Sequence, residues 1–272
     1  MFSEYMLPNA NPYLFWLFVG AAIVIQGISK SGFGGGAGLF GLLLMLLVME
    51  VDKVAATLLP LLILCDMNAI YHHRRNVDWA KLRAIYLPAI GGIVLGAFVW
   101  WKLGQDEVAT YKNYIKCFVG VIGIVFGLYI LAKERSMTWV EHHHAGAKTA
   151  VVAGVAAGFT STIAHAAGPI VSLYIFSQGL GKTLFVGTVA WTFTLINLTK
   201  LPFYIYVGLI DTHVLLFGAC LVWLIPIGSW LGKWMHYRIP EKWFNRVIMV
   251  LTLVSSVHVI WKTGVLQQLF TG

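Results

Sequence analysis

A glycine-rich break follows the first apolar run and carries side chains that could bind an anion. Ser29, Lys30 and Ser31 stand directly before it, and the glycines that follow are Gly32, Gly34, Gly35, Gly36 and Gly38. Glycine lacks a Cβ atom, so the backbone there can approach a ligand closely. A helix that starts after the break presents free backbone N–H groups, which attract negative charge. The expected anion contacts here are Ser29, Lys30, Ser31, Gly34, Gly35 and Gly36.

A second break, STIAHAAGPI at 161–170, offers hydroxyl groups and an imidazole. Proline follows its glycine, and proline is favoured in the first turn of a helix because its missing N–H would have no partner there. Close helix packing also calls for small residues in a membrane protein, but it does not call for an imidazole. The candidate anion contacts in this break are Ser161, Thr162, His165 and Gly168.

Two ionisable side chains, Asp66 and Lys200, fall well inside apolar runs. Charges at membrane depth are costly and usually face a cavity or a partner. Asn68 lies close to Asp66 in the sequence. Asn197 precedes Lys200 by almost one helical turn, which places amide and ammonium on one face. We expect Asn197 and Lys200 to hold the anion, and expect coupling to a proton or cation to involve Asp66, Asn68 or His165. A structural ion pair between Asp66 and Lys200 is the alternative.

Composition indicates that lipid is the solvent of the elements that carry these residues. Of 272 residues, 59% are hydrophobic and 11% are charged, and the mean hydropathy is +0.79. Soluble domains contain about 25% charged residues. The formal net charge of +8 lies mostly in short loops between apolar runs, which is typical of membrane topology and gives no reason to expect a nucleic-acid partner.

Apolar runs bounded by charges or turn residues divide the chain into candidate helices. They fall at 13–30, 36–49, 54–71, 84–101, 113–132, 148–163, 167–178, 184–207, 212–232 and 243–261. The second and seventh runs are short, and about a dozen helical residues do not cross ~30 Å of hydrocarbon. Because both follow one of the breaks, we expect them to be broken or re-entrant helices.

The distribution of Lys and Arg predicts the orientation in the membrane. When the loops are numbered in order, the odd loops carry 12 of these residues and the even loops with nearby ends carry 5. Positive loops stay in the cytoplasm, so the odd loops are expected there and both termini outside. The expected location is the plasma (inner) membrane.

The two halves of the chain align with each other at shifts of 131 to 136 residues. Residues 29–38 match 161–170, Asp66 falls on Asn197, and Gly92 and Gly96 match Gly228 and Gly232. Each half holds an odd number of crossings, so the second half is expected to be inverted relative to the first.

The predicted fold is an all-α polytopic membrane protein with an inverted repeat. Its parts are a first repeat over 1–135, a cytoplasmic connecting loop over 136–147 and a second repeat over 148–272. Each repeat is expected to contain a broken or re-entrant helix pair and three spanning helices.

Other residues that could bind a metal or form disulfides are better explained without a cofactor. Cys65, Cys117 and Cys220 have no disulfide or metal-ligand spacing. Three adjacent histidines at 142–144 cannot easily converge on one metal, so a solvated loop is expected. No arrangement typical of nucleophilic catalysis occurs. We therefore expect neither metal, cofactor nor enzyme activity, although a membrane enzyme that uses these histidines with a metal is kept as an alternative.

The two breaks also carry a resemblance to a known family. GISKSGFGGGAG (27–38) and AAGFTSTIAHAAGPIVSLYIFSQGLGKTLFVGTVAWTFTLINLTKLPFY (156–204) are similar to the TauE/SafE family of sulfite exporter-like membrane transporters. The resemblance covers the chain from about residue 20 to the last span. It implies a secondary transporter, and an exporter in particular, for a small sulfur-containing anion such as sulfite or sulfoacetate. It also implies coupling to an ion gradient, and transporters of this kind work by alternating access.

Two matters stay open at the level of sequence. An uncoupled channel for small anions is the main alternative to a coupled transporter, and it predicts conductance that does not depend on Asp66. The oligomeric state is undetermined, with a homo-oligomer among the alternatives.

Overall fold

The computed structural model describes residues 3–8, 10–32, 37–135 and 146–265, and every regular element within these ranges is helical. After a short 3-10 turn (Ser3–Tyr5), the helices are α1 (Pro12–Gly32), α2 (Gly38–Leu46), α3 (Val51–His73), α4 (Trp79–Arg135), α5 (Ala147–Ala164), α6 (Gly168–Phe176), α7 (Lys182–Tyr206), α8 (Thr212–Ala219), α9 (Leu224–Arg238) and α10 (Glu241–Thr263). The predicted all-α fold is confirmed. The glycines at 34, 35 and 36, the histidines at 142–144 and most of the predicted connecting loop lie outside the described residues.

Within the described ranges, seven stretches of helix are long and apolar enough to cross a membrane, and they identify a multi-pass membrane protein. They are Pro12–Ser31, Val51–Tyr71, Trp79–Lys102, Tyr111–Leu128, Ala147–Ala164, Thr183–Tyr206 and Arg246–Thr263. Helices α8 and α9 add an eighth candidate, bent by 49° at the break between them. Helices α2 and α6 have only nine residues each. Both short elements were predicted from the length of their apolar runs.

Helix α4 differs from the sequence-based prediction because it joins two runs that were expected to be separate helices. The segment between them, KLGQDEVATYK at 102–112, contains no proline, and most of its residues favour a helix. The two spans nevertheless lie side by side. A Cβ on Gly96 would lie 3.3 Å from the carbonyl oxygen of Phe159, and the rings of Phe118 and Phe159 are 6.3 Å apart. A straight helix would separate Gly96 from Phe118 by about 33 Å, so the chain turns back between them.

The contacts at helix ends define two sides of the bundle, and we name the side where α1 begins the first side. Leu7 N–H donates to Val48 C=O there, so α2 ends on the first side. An ion pair of 3.2 Å between Lys112 and Asp52 places the start of α3 on the same side. On the second side, Asp78 N–H donates to Thr188 Oγ1, which brings the start of α4 beside the start of α7.

Helices α1 and α5 start from opposite sides of the bundle. Helix α1 starts on the first side by definition. The first span of α4 starts on the second side, and α5 runs parallel to it, because Gly92 meets Val155 and Gly96 meets Phe159. Helix α2 then runs back along α1, and its Gly38 carbonyl accepts from Gln26 Nε2 at 2.9 Å.

Glycines bring these helices close together. A Cβ on Gly92 would lie 2.0 Å from the Val155 oxygen on α5. In the same way, a Cβ on Gly228 would lie 2.4 Å from the Val24 oxygen on α1. Real Cβ atoms do not approach backbone this closely, so these positions require glycine. These repeated glycines therefore serve close helix packing.

Candidate functional site

Three helices meet at the carboxylate of Asp66, which is fully buried in α3. Lys30 Nζ, from the end of α1, donates to Asp66 Oδ1 and forms an ion pair with it. Asn197 Nδ2, from α7, donates to Asp66 Oδ2 at 2.6 Å. Both carboxylate oxygens therefore have a donor, as a buried charge requires. Asp66 and Asn197, which align between the two halves of the sequence, are therefore direct neighbours.

Lys200 is also fully buried, and it ties α7 to the end of α5. Its Nζ donates to the carbonyl and the hydroxyl of Ser161, both at 2.9 Å. A third contact of 2.7 Å joins Nζ to His165 Nδ1. Because an ammonium group has three hydrogens, these acceptors use all of them.

His165 ends α5 and turns the chain toward α6. Its φ of 54° lies in the left-handed region, where histidine is one of the more tolerated residues after glycine. Its N–H donates to Ser161 C=O, which closes the last turn of the helix. The ring Nε2 lies 2.8 Å from Ala55 C=O, and a carbonyl can only accept, so the proton is on Nε2. The other nitrogen, Nδ1, is then free to accept from Lys200.

A small cavity lies between the first turns of the two short helices. Its volume is about 30 Å³, and Gly38 of α2 and Gly168 of α6 both line it. Five polar side chains also line it, namely Gln26, Lys30, Ser161, His165 and Asn197, and the rest of the described lining is apolar. Helix N-termini carry partial positive charge from unpaired N–H groups. The two lysines and one aspartate around the cavity add a formal charge of +1 (+1 +1 −1). This combination favours an anion.

The polar residues Lys30, Asp66, Asn197, Ser161, His165 and Lys200 form what we call the cluster. Two other cavities lie next to it. One of about 10 Å³ borders Asp66, Lys30 and Phe193, and Lys30 Nζ lies 4.9 Å from the centre of the Phe193 ring. The other, about 740 Å³ on the first side, is lined by Lys53, Trp100, Lys112, Asp211 and other residues, and we call it the vestibule.

An aromatic pair lies where the vestibule approaches the cluster. Trp100 Nε1 and the Tyr204 hydroxyl both donate to Thr162 C=O. Trp100 also lines the vestibule, and the Tyr204 ring lies 6.0 Å from both the His165 ring and Lys200 Nζ. Because Trp100 lines the vestibule and Tyr204 lies near His165 and Lys200, this pair stands between the vestibule and these residues.

Seven of the predicted site residues come together at this point. Five line the 30 Å³ cavity, namely Lys30, Ser161, His165, Gly168 and Asn197. Asp66 and Lys200 lie one hydrogen bond behind it. The alternative ion pair between Asp66 and Lys200 is replaced by one between Asp66 and Lys30. The physical reason is that the end of α5 already uses every hydrogen of Lys200, whereas Lys30 reaches Asp66 from the end of α1.

Four predicted residues occupy other environments. The Thr162 hydroxyl donates to Gly158 C=O within its own helix. Asn68 donates to Ser229 Oγ at 2.8 Å, on the side of α3 that faces α9. Ser29 is fully buried, and its hydroxyl has no hydrogen-bond partner among the residues that the structure describes. Ser31 is half-buried, and neither serine is among the cavity's described lining residues.

Gln26 and Phe193 border the cavity but were not predicted. Gln26 had a detectable signal, because it is a polar side chain within an apolar run and lies one helical turn before Lys30. Phe193 had none, since an aromatic residue in an apolar run is the ordinary case.

Metal chemistry finds no support in the described part of the chain. No group of three His, Cys, Asp or Glu side chains there could hold a metal ion. The three cysteines are free thiols.

The fold and this buried site define a multi-pass, all-helical membrane protein with a polar centre between interrupted helices, as in many secondary transporters. A family model described as Sulfite exporter TauE/SafE matches residues 15–259, and the chain belongs to this family. The resemblance found in the sequence is confirmed, and with it the general class of membrane transport. No curated protein and no solved structure matches the chain.

Proposed function

We propose that this protein is a secondary transporter that exports a small sulfur-containing anion, such as sulfite or an organosulfonate like sulfoacetate. The observation that carries the proposal is the cavity between the N-termini of α2 and α6, with Lys30 in its wall. The anion binds there, where backbone N–H groups and an ammonium group can donate to its oxygens. Membership of the TauE/SafE family supports the sulfur chemistry.

The size of the cavity supports alternating access. A volume of about 30 Å³ is close to the share of one water molecule in the liquid. An anion with several oxygens enters only when the short helices separate. The site then opens to one side at a time, and the vestibule is the route on the first side.

An inverted repeat is the second part of the proposal, and reciprocal contacts support it. Val24 and Val155 are 131 residues apart, and each meets the repeated glycine of the other half, Gly228 and Gly92 respectively. Such exchange of equivalent contacts is expected around a two-fold axis. Asp66 and Asn197 are also 131 residues apart and hydrogen-bond to each other, which supports an axis beside the site.

We further propose that both termini lie outside a plasma (inner) membrane and that transport is coupled to a proton or a cation. The excess of lysine and arginine in the odd loops supports this orientation. The buried Asp66 is a group on which a coupling ion can act. With this orientation the vestibule opens to the outside.

Transport by the purified protein in liposomes tests the proposal. Vesicles are loaded with labelled sulfite or sulfoacetate, and efflux is followed with and without a pH gradient. We expect efflux that depends on the gradient, a strong reduction in Lys30→Gln, and unchanged efflux in Lys148→Gln, which changes an exposed lysine at the start of α5. Absence of flux of either anion through correctly inserted protein would overturn the proposal. Conductance independent of any gradient would replace it by the anion channel.

A further inference from the structure

Lys30 belongs to the walls of two separate cavities. The 30 Å³ cavity between the short helices includes Lys30 but not Asp66. The 10 Å³ cavity includes both Lys30 and Asp66 and lies away from the helix N-termini. Phe193 is common to both. The ammonium group of Lys30 therefore stands at the boundary between the space for an anion and the space beside the carboxylate.

The two lysines of the cluster differ in how many hydrogens the protein uses. Lys200 donates to three acceptors and does not line the anion cavity. Lys30 makes one hydrogen bond in the described part of the chain, to Asp66, and it does line the cavity. An anion that enters therefore meets Lys30, and it competes with Asp66 for that lysine.

We propose that the bound anion takes Lys30 from Asp66 and that Asp66 then takes up one proton, so that each anion bound is accompanied by one proton. This inference rests on the proposed binding of an anion in the cavity. The carboxylate combines with a proton from water to give the carboxylic acid, and no other bond changes. The charge of the proton offsets one charge of the anion.

The surroundings of Asp66 explain why the proton is needed. Its carboxylate is fully buried, and an isolated charge in such a place is far more costly than the neutral acid. Without Lys30, Asn197 remains as one hydrogen-bond donor from α7. The other titratable groups nearby are Lys200 on α7, His165 at the end of α5 and Cys65 on α3. Because Lys200 stays bound to Ser161 and His165, it does not replace Lys30.

The exchange predicts how affinity depends on pH. Uptake of one proton on binding means that affinity falls by about tenfold for each unit of increase in pH. This holds over the range in which Asp66 is ionised in the free protein and protonated in the complex. Sulfoacetate is the suitable probe, because both of its acid groups are ionised above about pH 6 and do not titrate themselves.

Removal of the Asp66 carboxylate, which competes with the anion for Lys30, gives a result that a purely structural role of Asp66 would not give. In Asp66→Asn, the amide retains the size of the side chain and leaves Lys30 free for the anion. We expect sulfoacetate to bind at least about tenfold more tightly than to the wild type near pH 8, with no dependence on pH. In Lys30→Gln, sulfoacetate binding becomes weak and proton uptake disappears, because the ammonium group that would move from Asp66 to the anion is absent.

Calorimetry of sulfoacetate binding to the full chain in detergent, in buffers of different ionisation enthalpy, counts the protons directly. We expect close to one proton per anion for the wild type and for Asp78→Asn, an acid-to-amide change at the start of α4. We expect none for Asp66→Asn. Binding without proton uptake, or uptake that persists in Asp66→Asn, would overturn the exchange but not the proposed function. If neither sulfoacetate nor sulfite bound to the folded wild type, the proposed function would fail and the exchange with it.

Discussion

The two breaks place the same element, the N-terminus of a nine-residue helix, at one cavity, but they are held in different ways. The second break is fixed by a dense set of hydrogen bonds, from Lys200 to Ser161 and His165 and from Trp100 and Tyr204 to Thr162. Among its described residues, which exclude 33–36, the first break is held by the Gln26 amide on Gly38 and by one ion pair from Lys30.

This difference suggests a division of labour between two related segments. The anchored break supplies a preformed half of the site, which costs little reorganisation when the anion binds. The first break supplies the lysine that can change partner. A transporter requires both properties. Binding must be specific, and it must also change the contacts that stabilise one conformation of the protein.

The largest effect on stability is expected from removal of the Lys200 ammonium group, which holds the second break. Lys200→Met keeps the length of the side chain but leaves Ser161 and His165 without their donor in a buried site. We expect a loss of about 3 kcal/mol in the free energy of unfolding, because buried acceptors lose a charged partner. Thermal unfolding in detergent measures this, with Lys148→Gln as the control for loss of a lysine. A stability equal to that of the control would show that the second break is not held by Lys200.

The next effect concerns function more than stability. Lys30→Gln removes the ammonium group from the first break, and Asp66 can then be neutral, so folding is little affected. We expect uptake of labelled sulfite to fall by at least about tenfold, corresponding to the loss of one charged hydrogen bond to the anion. Lys30→Arg should restore part of the activity. If Lys30→Gln lost more stability than Lys200→Met, the first break rather than the second would be the firmly held one, which would contradict the comparison.

A smaller effect is expected from crowding of the first break. A Cβ on Gly38 would lie 2.6 Å from Gln26 Oε1, the end of a flexible side chain. Gly38→Ala is therefore expected to cost about 1 kcal/mol and to weaken transport by displacing Gln26 from Gly38. The single variant Gln26→Ser tests this reason, because it removes the same contact without adding a Cβ at Gly38. Unchanged transport in Gln26→Ser would mean that the Gln26 contact is not responsible.

The smallest effect is expected from Trp100→Phe. This change removes one of two donors to Thr162 C=O, and Tyr204 continues to donate. A loss of about 1 kcal/mol or less is expected in thermal unfolding, with transport largely retained. Tyr204→Phe is the matched variant on the other donor. A loss of transport in Trp100→Phe alone would assign a gating role to the tryptophan on the vestibule side.

The sequence predicted the fold and much of the site because the signals were local. Charged or polar residues in apolar runs stand out, so Lys30, Asp66 and Lys200 were found, and run lengths identified the two short helices. The partner of Asp66 was not predictable, since it depends on the depth at which α1 ends relative to α3 and α7. The two spans of α4 were predicted, but the helical state of the segment between them was not, because its charged residues were interpreted as a loop.

The most direct test of the account is a structure of the protein with bound sulfoacetate. We predict the anion between the first turns of α2 and α6, with Lys30 Nζ on an oxygen of the anion and separated from Asp66. Lys200 should keep its contacts with Ser161 and His165. An anion bound in the vestibule, with Lys30 still paired to Asp66, would contradict the central claim.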